Sequence, residues 1–184
     1  MVMKLWKFGV LILVALAMIG CKHSDEVADS FTKFNIETDY VVKVPATPIA
    51  SIPFDFVTPD IATHSEESFT ANKTRADLVE HIELTNLELS VKSPDGGTLS
   101  FLKSIDIYAK AEGLPEVRVA FKDVVPDDVG ATLSLDVTGA DLTEHFKKAT
   151  YQLRIKVLSD ERVTEDYEVN AHGKFAVDAK LLGE

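Results

Sequence analysis

The chain has 184 residues, with 19 Lys and Arg against 30 Asp and Glu, so its net charge is −11 with neutral histidines. That length suits one domain whose hydrophobic core is large enough to fold without disulfides or a structural metal. A lone cysteine excludes an internal disulfide. The acidic balance repels phosphate backbones, which argues against a nucleic-acid partner.

The first 21 residues have a basic start followed by an apolar run. Two lysines precede an uncharged stretch over residues 8–20, and Gly20 stands directly before Cys21. The run is shorter than the roughly 20 apolar residues that span a bilayer, and it fits the central region of a secretory signal. This order resembles the signal peptide and lipobox of bacterial lipoproteins, with Met18 where leucine is usual.

The resemblance implies that residues 1–20 are cleaved and that Cys21 takes up a diacylglyceryl group and further acyl chains such as palmitate. The mature chain would then have 164 residues (184 − 20), with 17 Lys and Arg (19 − 2) against 30 Asp and Glu, a net charge of −13. Because two or three acyl chains anchor a protein firmly, the expected location is the outer membrane, with the membrane contacted through lipid at Cys21. An ordinary secretory signal and an uncleaved N-terminal anchor are the alternatives.

Residues 21–30 are polar and show no hydrophobic period, which predicts a flexible tether. Lys22, Asp25 and Glu26 resemble the signal that directs some outer-membrane lipoproteins to the cell surface. The resemblance slightly favours the cell surface over the periplasmic face. A plain solvated linker is the alternative.

From residue 31 onward the dominant hydrophobic period is two, which indicates β strands. The first strand runs through residues 34–44. A second, over Ile49–Val57, lies among prolines, which lack a ladder donor, and is predicted to be an edge strand. Thr58–Lys73 is predicted as a polar loop or a ragged edge strand around Phe69. Thr74 can cap a short helix over Arg75–Ile82, where apolar residues fall at helical spacing.

The remaining elements follow the same signals. Residues 87–91 alternate and end at a turn over 94–97. Two further runs over 105–121 form a hairpin, with Val117, Val119 and Phe121 on one apolar face, and residues 133–137 form the next strand. Asp141–Ala149 is predicted as the second helix, capped by Asp141 and followed by two clean strands. Gly173, inside the last strand, is predicted to mark a bulge.

Strands with one apolar face each need a second apolar layer to cover them. We therefore predict a mainly β fold with a single domain over residues 31–184. Its predicted architecture is an antiparallel two-sheet β-sandwich, immunoglobulin-like in the broad sense, with two short helices at its ends.

Catalytic patterns are missing from the sequence. Cys21 would be consumed by lipid, and the strained Gly-x-Ser-x-Gly turn of serine hydrolases does not occur. The four histidines of the domain show no i, i+4 zinc spacing and are predicted to face solvent: His64, His81, His145 and His172. The sequence therefore predicts a protein that is not an enzyme and that has no cofactor and no metal.

Two weak ligand candidates remain. The loop Lys122–Gly130 carries Asp123, Asp127 and Asp128, which could offer oxygens to calcium, but a solvated acidic loop is the favoured explanation because the alternating oxygens of a calcium loop are missing. Tyr108 is the one aromatic residue out of phase with the apolar face of its strand, and it could contact a glycan. A partly covered surface tyrosine is its plainer interpretation.

The leading functional hypothesis is a lipid-anchored cell-envelope protein that acts as a non-enzymatic interaction or assembly module. Its predicted partner is an envelope protein, and the edge strand Ile49–Val57 is the natural place for a partner strand to dock. A ligand-binding module for glycans or calcium is the alternative. A hydrolase whose residues meet only in the folded chain is the third class.

Overall fold

The computed structural model describes residues 33–46, 53–159 and 161–182. These residues form antiparallel β strands, two short α helices and one 3-10 turn. In chain order the elements are β1 (Lys33–Val44), β2 (Pro53–Val57), β3 (Ile61–Ala62), α1 (Ser65–Ala71), the 3-10 turn (Ala76–Leu78), β4 (Val79–Ser93), β5 (Leu102–Lys110), β6 (Val117–Lys122), β7 (Thr132–Val137), α2 (Thr143–Phe146), β8 (Thr150–Ser159) and β9 (Tyr167–Ala179). Within this part of the chain, no helix is long and apolar enough to cross a membrane.

The strands form one continuous path in the order β1-β9-β4-β7-β6-β5-β8-β2, and β3 also pairs with β8. This sheet curls into a half-barrel. A mainly β, antiparallel fold with two helices is therefore confirmed. The predicted division into two separate sheets is not confirmed, because β6 and β7 are hydrogen-bonded neighbours, with Ala120 opposite Val137 and Phe121 opposite Asp136.

The interior of the curl is apolar because alternate residues of each strand point into it and most of these inward residues are hydrophobic. Val42 and Val169 come from the β1, β9, β4 and β7 half of the strand order, and Ile107 and Ile155 come from the other half. All four line a cavity of about 40 Å³. The two halves thus share one core, which each strand alone could not bury.

The predicted helix over Arg75–Ile82 is wrong beyond its first turn, because β4 begins at Val79. The register between β4 and β9 shifts three times, and each time the extra residue lies in β4. The first extra residue, Glu80, puts Val79 and Ile82 on the same buried side although they are three residues apart. A bulged strand therefore imitates the apolar spacing of a helix.

The other predicted elements divide between confirmation and correction. The hairpin, the β7 strand and the two final strands are confirmed, and the second helix is confirmed over Thr143–Phe146 only. Thr58–Lys73 contains β3 and α1 rather than a loop, and Phe69 is buried on α1. The prediction of a bulge at Gly173 is wrong. Gly173 pairs regularly with Thr38 of β1, and the nearby extra residue is Thr85 of β4.

Candidate functional site

Strand β2 forms one margin of the curled sheet, and in the described chain it pairs only with β8. Just beyond it, the Thr58 N–H donates to the Leu153 carbonyl at 2.9 Å, and the Leu153 N–H donates to Thr58 Oγ1 at 2.9 Å. Backbone groups alternate in direction along an antiparallel strand. The N–H groups of Asp55 and Val57 therefore point away from β8, toward the free side that we name the β2 margin (Pro53–Val57).

The side chains of the β2 margin divide between core and surface. Phe54 and Phe56 point inward, line the apolar cavity and stack with their ring centroids 6.2 Å apart. Asp55 and Val57 point outward, and Val57 is 46% exposed. The margin thus has its inner face anchored in the core and a branched apolar side chain open to solvent.

Arg154 of β8 fixes the outer face of this margin. Its Nε lies 3.0 Å from both carboxylate oxygens of Asp55, and its Nη1 lies 2.9 Å from Glu116 Oε1. The hydrogen bonds from Arg154 lower the pKa of Asp55 below its ordinary value, and the two carboxylates raise the pKa of Arg154. One guanidinium therefore ties β2, β8 and the residue before β6 together, in the bidentate geometry that arginine favours.

Tyr108, the predicted glycan contact, lies on the same outer face and is half-buried. The Arg154 guanidinium carbon is 6.0 Å from its ring centroid, and Lys156 Nζ is 5.0 Å from it. These are cation–π distances. Neighbouring cations thus occupy part of the space that a sugar ring would need for stacking.

A second outward aromatic residue was missed by the sequence pattern. Phe121 was placed on the apolar face of its strand, but the register between β5 and β6 shifts at Val119 and turns Phe121 outward. The Arg118 guanidinium carbon lies 4.0 Å from the Phe121 ring centroid, and Arg118 Nε donates to Asp106 Oδ1 at 2.7 Å. The outer face of β5, β6 and β8 therefore carries a network of ion pairs and cation–π contacts around two aromatic rings.

The predicted ligand loop is not assembled into a site. Asp123, Asp127 and Asp128 are all exposed, and Asp123 Oδ1 accepts a hydrogen bond from Arg118 Nη2 at 3.3 Å. Among the residues that the structure describes, no group of three or more His, Cys, Asp or Glu is arranged to hold a metal ion. The carboxylate-dense loop therefore offers no shared coordination geometry.

One histidine contradicts its predicted position. His145 is buried on α2, with Nε2 3.2 Å from the Pro115 carbonyl oxygen, because α2 packs its inner side against β4 and β8. The others lie nearer the surface; His172 Nδ1 is 3.1 Å from Asp39 Oδ1. Cys21, its tether and residues 49–52 of the predicted docking strand lie outside the described residues.

Comparison with known proteins adds little to this geometry. No protein family and no curated protein matches the chain. One solved structure of turnip yellow mosaic virus matches at 8% identity over 82% of this chain and 97% of that one, with a TM-score of 0.29. A structure of Desmodium yellow mottle tymovirus matches at 10% identity over 82% and 85%, with a TM-score of 0.23. Similarities this weak carry no argument about function.

Proposed function

We propose that the chain is a non-enzymatic interaction or assembly module of the cell envelope, anchored by lipid on Cys21. We propose further that it binds an extended segment of an envelope partner along the β2 margin. The observation that supports this is a strand paired on one side only in the described chain, with outward N–H groups at Asp55 and Val57.

Strand addition suits the β2 margin for two physical reasons. An unpaired strand edge presents a row of backbone donors and acceptors, which a second extended chain can satisfy. Arg154 and the inward Phe54 and Phe56 hold β2 in place beforehand, so little ordering of the margin itself opposes binding. The exposed Val57 side chain would then select a partner strand with an aliphatic residue beside it.

The test of the margin deletes one outward N–H group and compares the result with a variant that keeps it. Val57→Pro deletes the outward N–H at a position where the ladder to β8 does not use it, whereas Val57→Thr keeps both the N–H and the branched shape. Crosslinking of intact cells should give a partner adduct with the wild type and with Val57→Thr that disappears with Val57→Pro. An adduct that survives Val57→Pro contradicts strand addition at this margin.

The anchor is tested separately by protease treatment of intact cells, with Cys21→Ser as the unlipidated control. Digestion of the wild-type domain in intact cells, together with its loss from the membrane fraction in Cys21→Ser, supports surface display through lipid. Protection until the outer membrane is opened moves the domain to the periplasmic face. A Cys21→Ser variant that stays in the membrane fraction contradicts the anchor itself.

We also propose that the two four-stranded halves of the curled sheet behave as the two layers of a sandwich. The support is that Val169 from one half and Ile155 from the other line the same cavity. Truncating both to alanine should then give a coupling energy of about 0.5 kcal/mol or more in a double-mutant cycle. Strictly additive losses of unfolding free energy would count against two packed layers.

A further inference from the structure

The opposite margin of the sheet is β1, and it differs from β2 in length and in pattern. All twelve residues of Lys33–Val44 pair with β9, and in the described chain no strand pairs with the other side of β1. Every second residue points to the outer face and is exposed: Lys33, Asn35, Glu37, Asp39, Val41 and Lys43. Val41 is 42% exposed, and the inward Tyr40 remains half-buried.

We propose that this margin is an interface for a second copy of the same chain. The two β1 strands pair antiparallel about a two-fold axis at Tyr40, so that the curled sheets of both copies join edge to edge. In this register Glu37 lies opposite the partner's Lys43, and by symmetry Lys43 lies opposite the partner's Glu37. Such an isologous contact uses the same patch on both copies.

The charges on β1 select this register over longer ones. A two-fold axis at Thr38 would pair the most residues, but it would set Lys33 against the partner's Lys43 and Glu37 against the partner's Asp39. An axis at Asp39 would set that carboxylate against its own copy. Like charges directly opposite each other destabilise a strand pair, whereas opposite charges stabilise it. The axis at Tyr40 is the longest register with no like charges opposite, and it pairs Ile36–Val44.

The alternation of the strand is consistent with that choice. Because the axis falls on a residue, each position pairs with one of the same parity, so inward residues meet inward ones and outward residues meet outward ones. Thr38 then lies opposite the partner's Val42, and Tyr40 lies opposite the partner's Tyr40. Thr38 and Tyr40, two of the three inward side chains that β1 leaves half-buried, gain cover from the second copy.

The pairing uses backbone groups and side chains of β1 alone, so it does not require the β2 margin. If the adduct survives Val57→Pro, the proposal for β1 still stands. If the chain is monomeric, the proposal for the β2 margin still stands.

The test is a charge exchange measured by sedimentation equilibrium of the full-length chain carrying Cys21→Ser, so that lipid does not contribute to association. Glu37→Lys alone and Lys43→Glu alone each place like charges opposite twice per dimer, and each should weaken dimerisation about tenfold. The double variant Glu37→Lys/Lys43→Glu restores both attractive pairs and should return dimerisation to near the wild-type level. Lys33→Glu, outside the paired range, is the matched control and should leave it unchanged.

A second measurement reads the register directly in chains carrying Cys21→Ser. Asp39→Cys and Val41→Cys chains, when mixed, should form a disulfide between unlike copies, because those positions lie opposite each other. Glu37→Cys mixed with Val41→Cys should not. A wild-type chain that is monomeric at every concentration, or dimers indifferent to the single charge reversals, would overturn the proposal. Dimers broken by Lys43→Glu but not by Glu37→Lys would also overturn it, since they indicate an axis at Val41.

Discussion

The two margins of the sheet solve the problem of an open strand edge in different ways. The β1 margin is twelve residues long, is held by a full backbone ladder to β9, and carries a charge at most of its outward positions. The β2 margin is five residues long, begins at Pro53, is followed closely by Pro59, and is held on its outer face by Arg154. Charge and shortness are the two common ways in which strand edges avoid indiscriminate pairing. A long charged edge can choose its partner by register, whereas a short one depends on side chains for its place in the sheet.

The largest expected effect is a core truncation beneath β1. Ile36 is 5% exposed, so Ile36→Ala removes buried methyl groups and leaves a cavity, which should cost about 2–5 kcal/mol of unfolding free energy. Urea unfolding measures it. Val41→Ala on the same strand removes an exposed side chain and should change stability by less than about 0.5 kcal/mol. Equal losses for the two variants would show that β1 is not anchored by its inward face.

The second-largest expected effect is overpacking of the contact between β1 and β9. A Cβ added at Gly173 would lie 3.1 Å from Thr38 Oγ1 and 3.2 Å from Phe175 Cε2, so Gly173→Ala forces these side chains to shift. We expect a loss of about 1 kcal/mol in unfolding free energy. Gly130→Ala is the matched control, because an added Cβ there meets nothing within 4 Å. A Gly173→Ala chain as stable as the control would mean that the β1–β9 contact is looser than these distances indicate.

A smaller and more local effect is expected at β2. Arg154→Met keeps an aliphatic stem but removes the hydrogen bonds to Asp55 and Glu116, so the β2 amides should exchange with solvent several-fold faster. Amide hydrogen exchange should show no such change in β1. Lys43→Met is the comparison at the other margin, where the ion pair with Glu168 is exposed and the backbone ladder is long. Unchanged exchange in β2 would mean that Arg154 does not hold this margin.

The smallest expected effect is the response to acid. Hydrogen bonds from Asn170 and His172 lower the pKa of Asp39, and hydrogen bonds from Arg154 lower that of Asp55, both from 3.8. A lowered carboxyl pKa stabilises the fold above the unfolded value, and this stabilisation disappears as the pH falls through the folded pKa. Unfolding midpoints should therefore begin to drop as the pH approaches 3.8 and should continue to drop below it. Asp39→Asn and Asp55→Asn should each reduce that drop. A drop as large as that of the wild type in both variants would contradict the role of these two carboxylates.

The period-two pattern was enough to predict the class of fold, because buried and more exposed residues alternate over β1 and β8 and over β9 from Ala171 onward. It failed where a strand is bulged. The extra residues in β4 and at Val119 of β6 change the phase in mid-strand, which turned part of β4 into an apparent helix and put Phe121 on the wrong face. It also missed α1, whose only buried residues are Ser65 and Phe69, too few for a helical stripe.

The contacts of the candidate site could not be predicted for a different reason. Asp55 and Arg154 both stand in the polar phase of apolar strands, where each looks like an ordinary surface residue. They are 99 positions apart, and only the pairing of β2 with β8 brings them together. The acidic loop of Asp123, Asp127 and Asp128 stood out because its residues are neighbours in sequence, yet the fold does not bring their carboxylates together. A high local density of carboxylates in the sequence was a poor guide to a site that is made by strand pairing.

The place of the last strand has a kinetic consequence. β9 lies between β1 and β4, and Lys33 is opposite Asp178, so β1 has no hydrogen-bonded neighbour in the described chain until β9 is present. Pairings between such distant segments require long loops to close first, which makes folding slow. During synthesis β1 must wait for almost the entire chain before it can pair, whereas β4 can already pair with β7. We therefore expect a nascent chain that stays unfolded until late, the condition in which a polypeptide can still be threaded through a narrow channel.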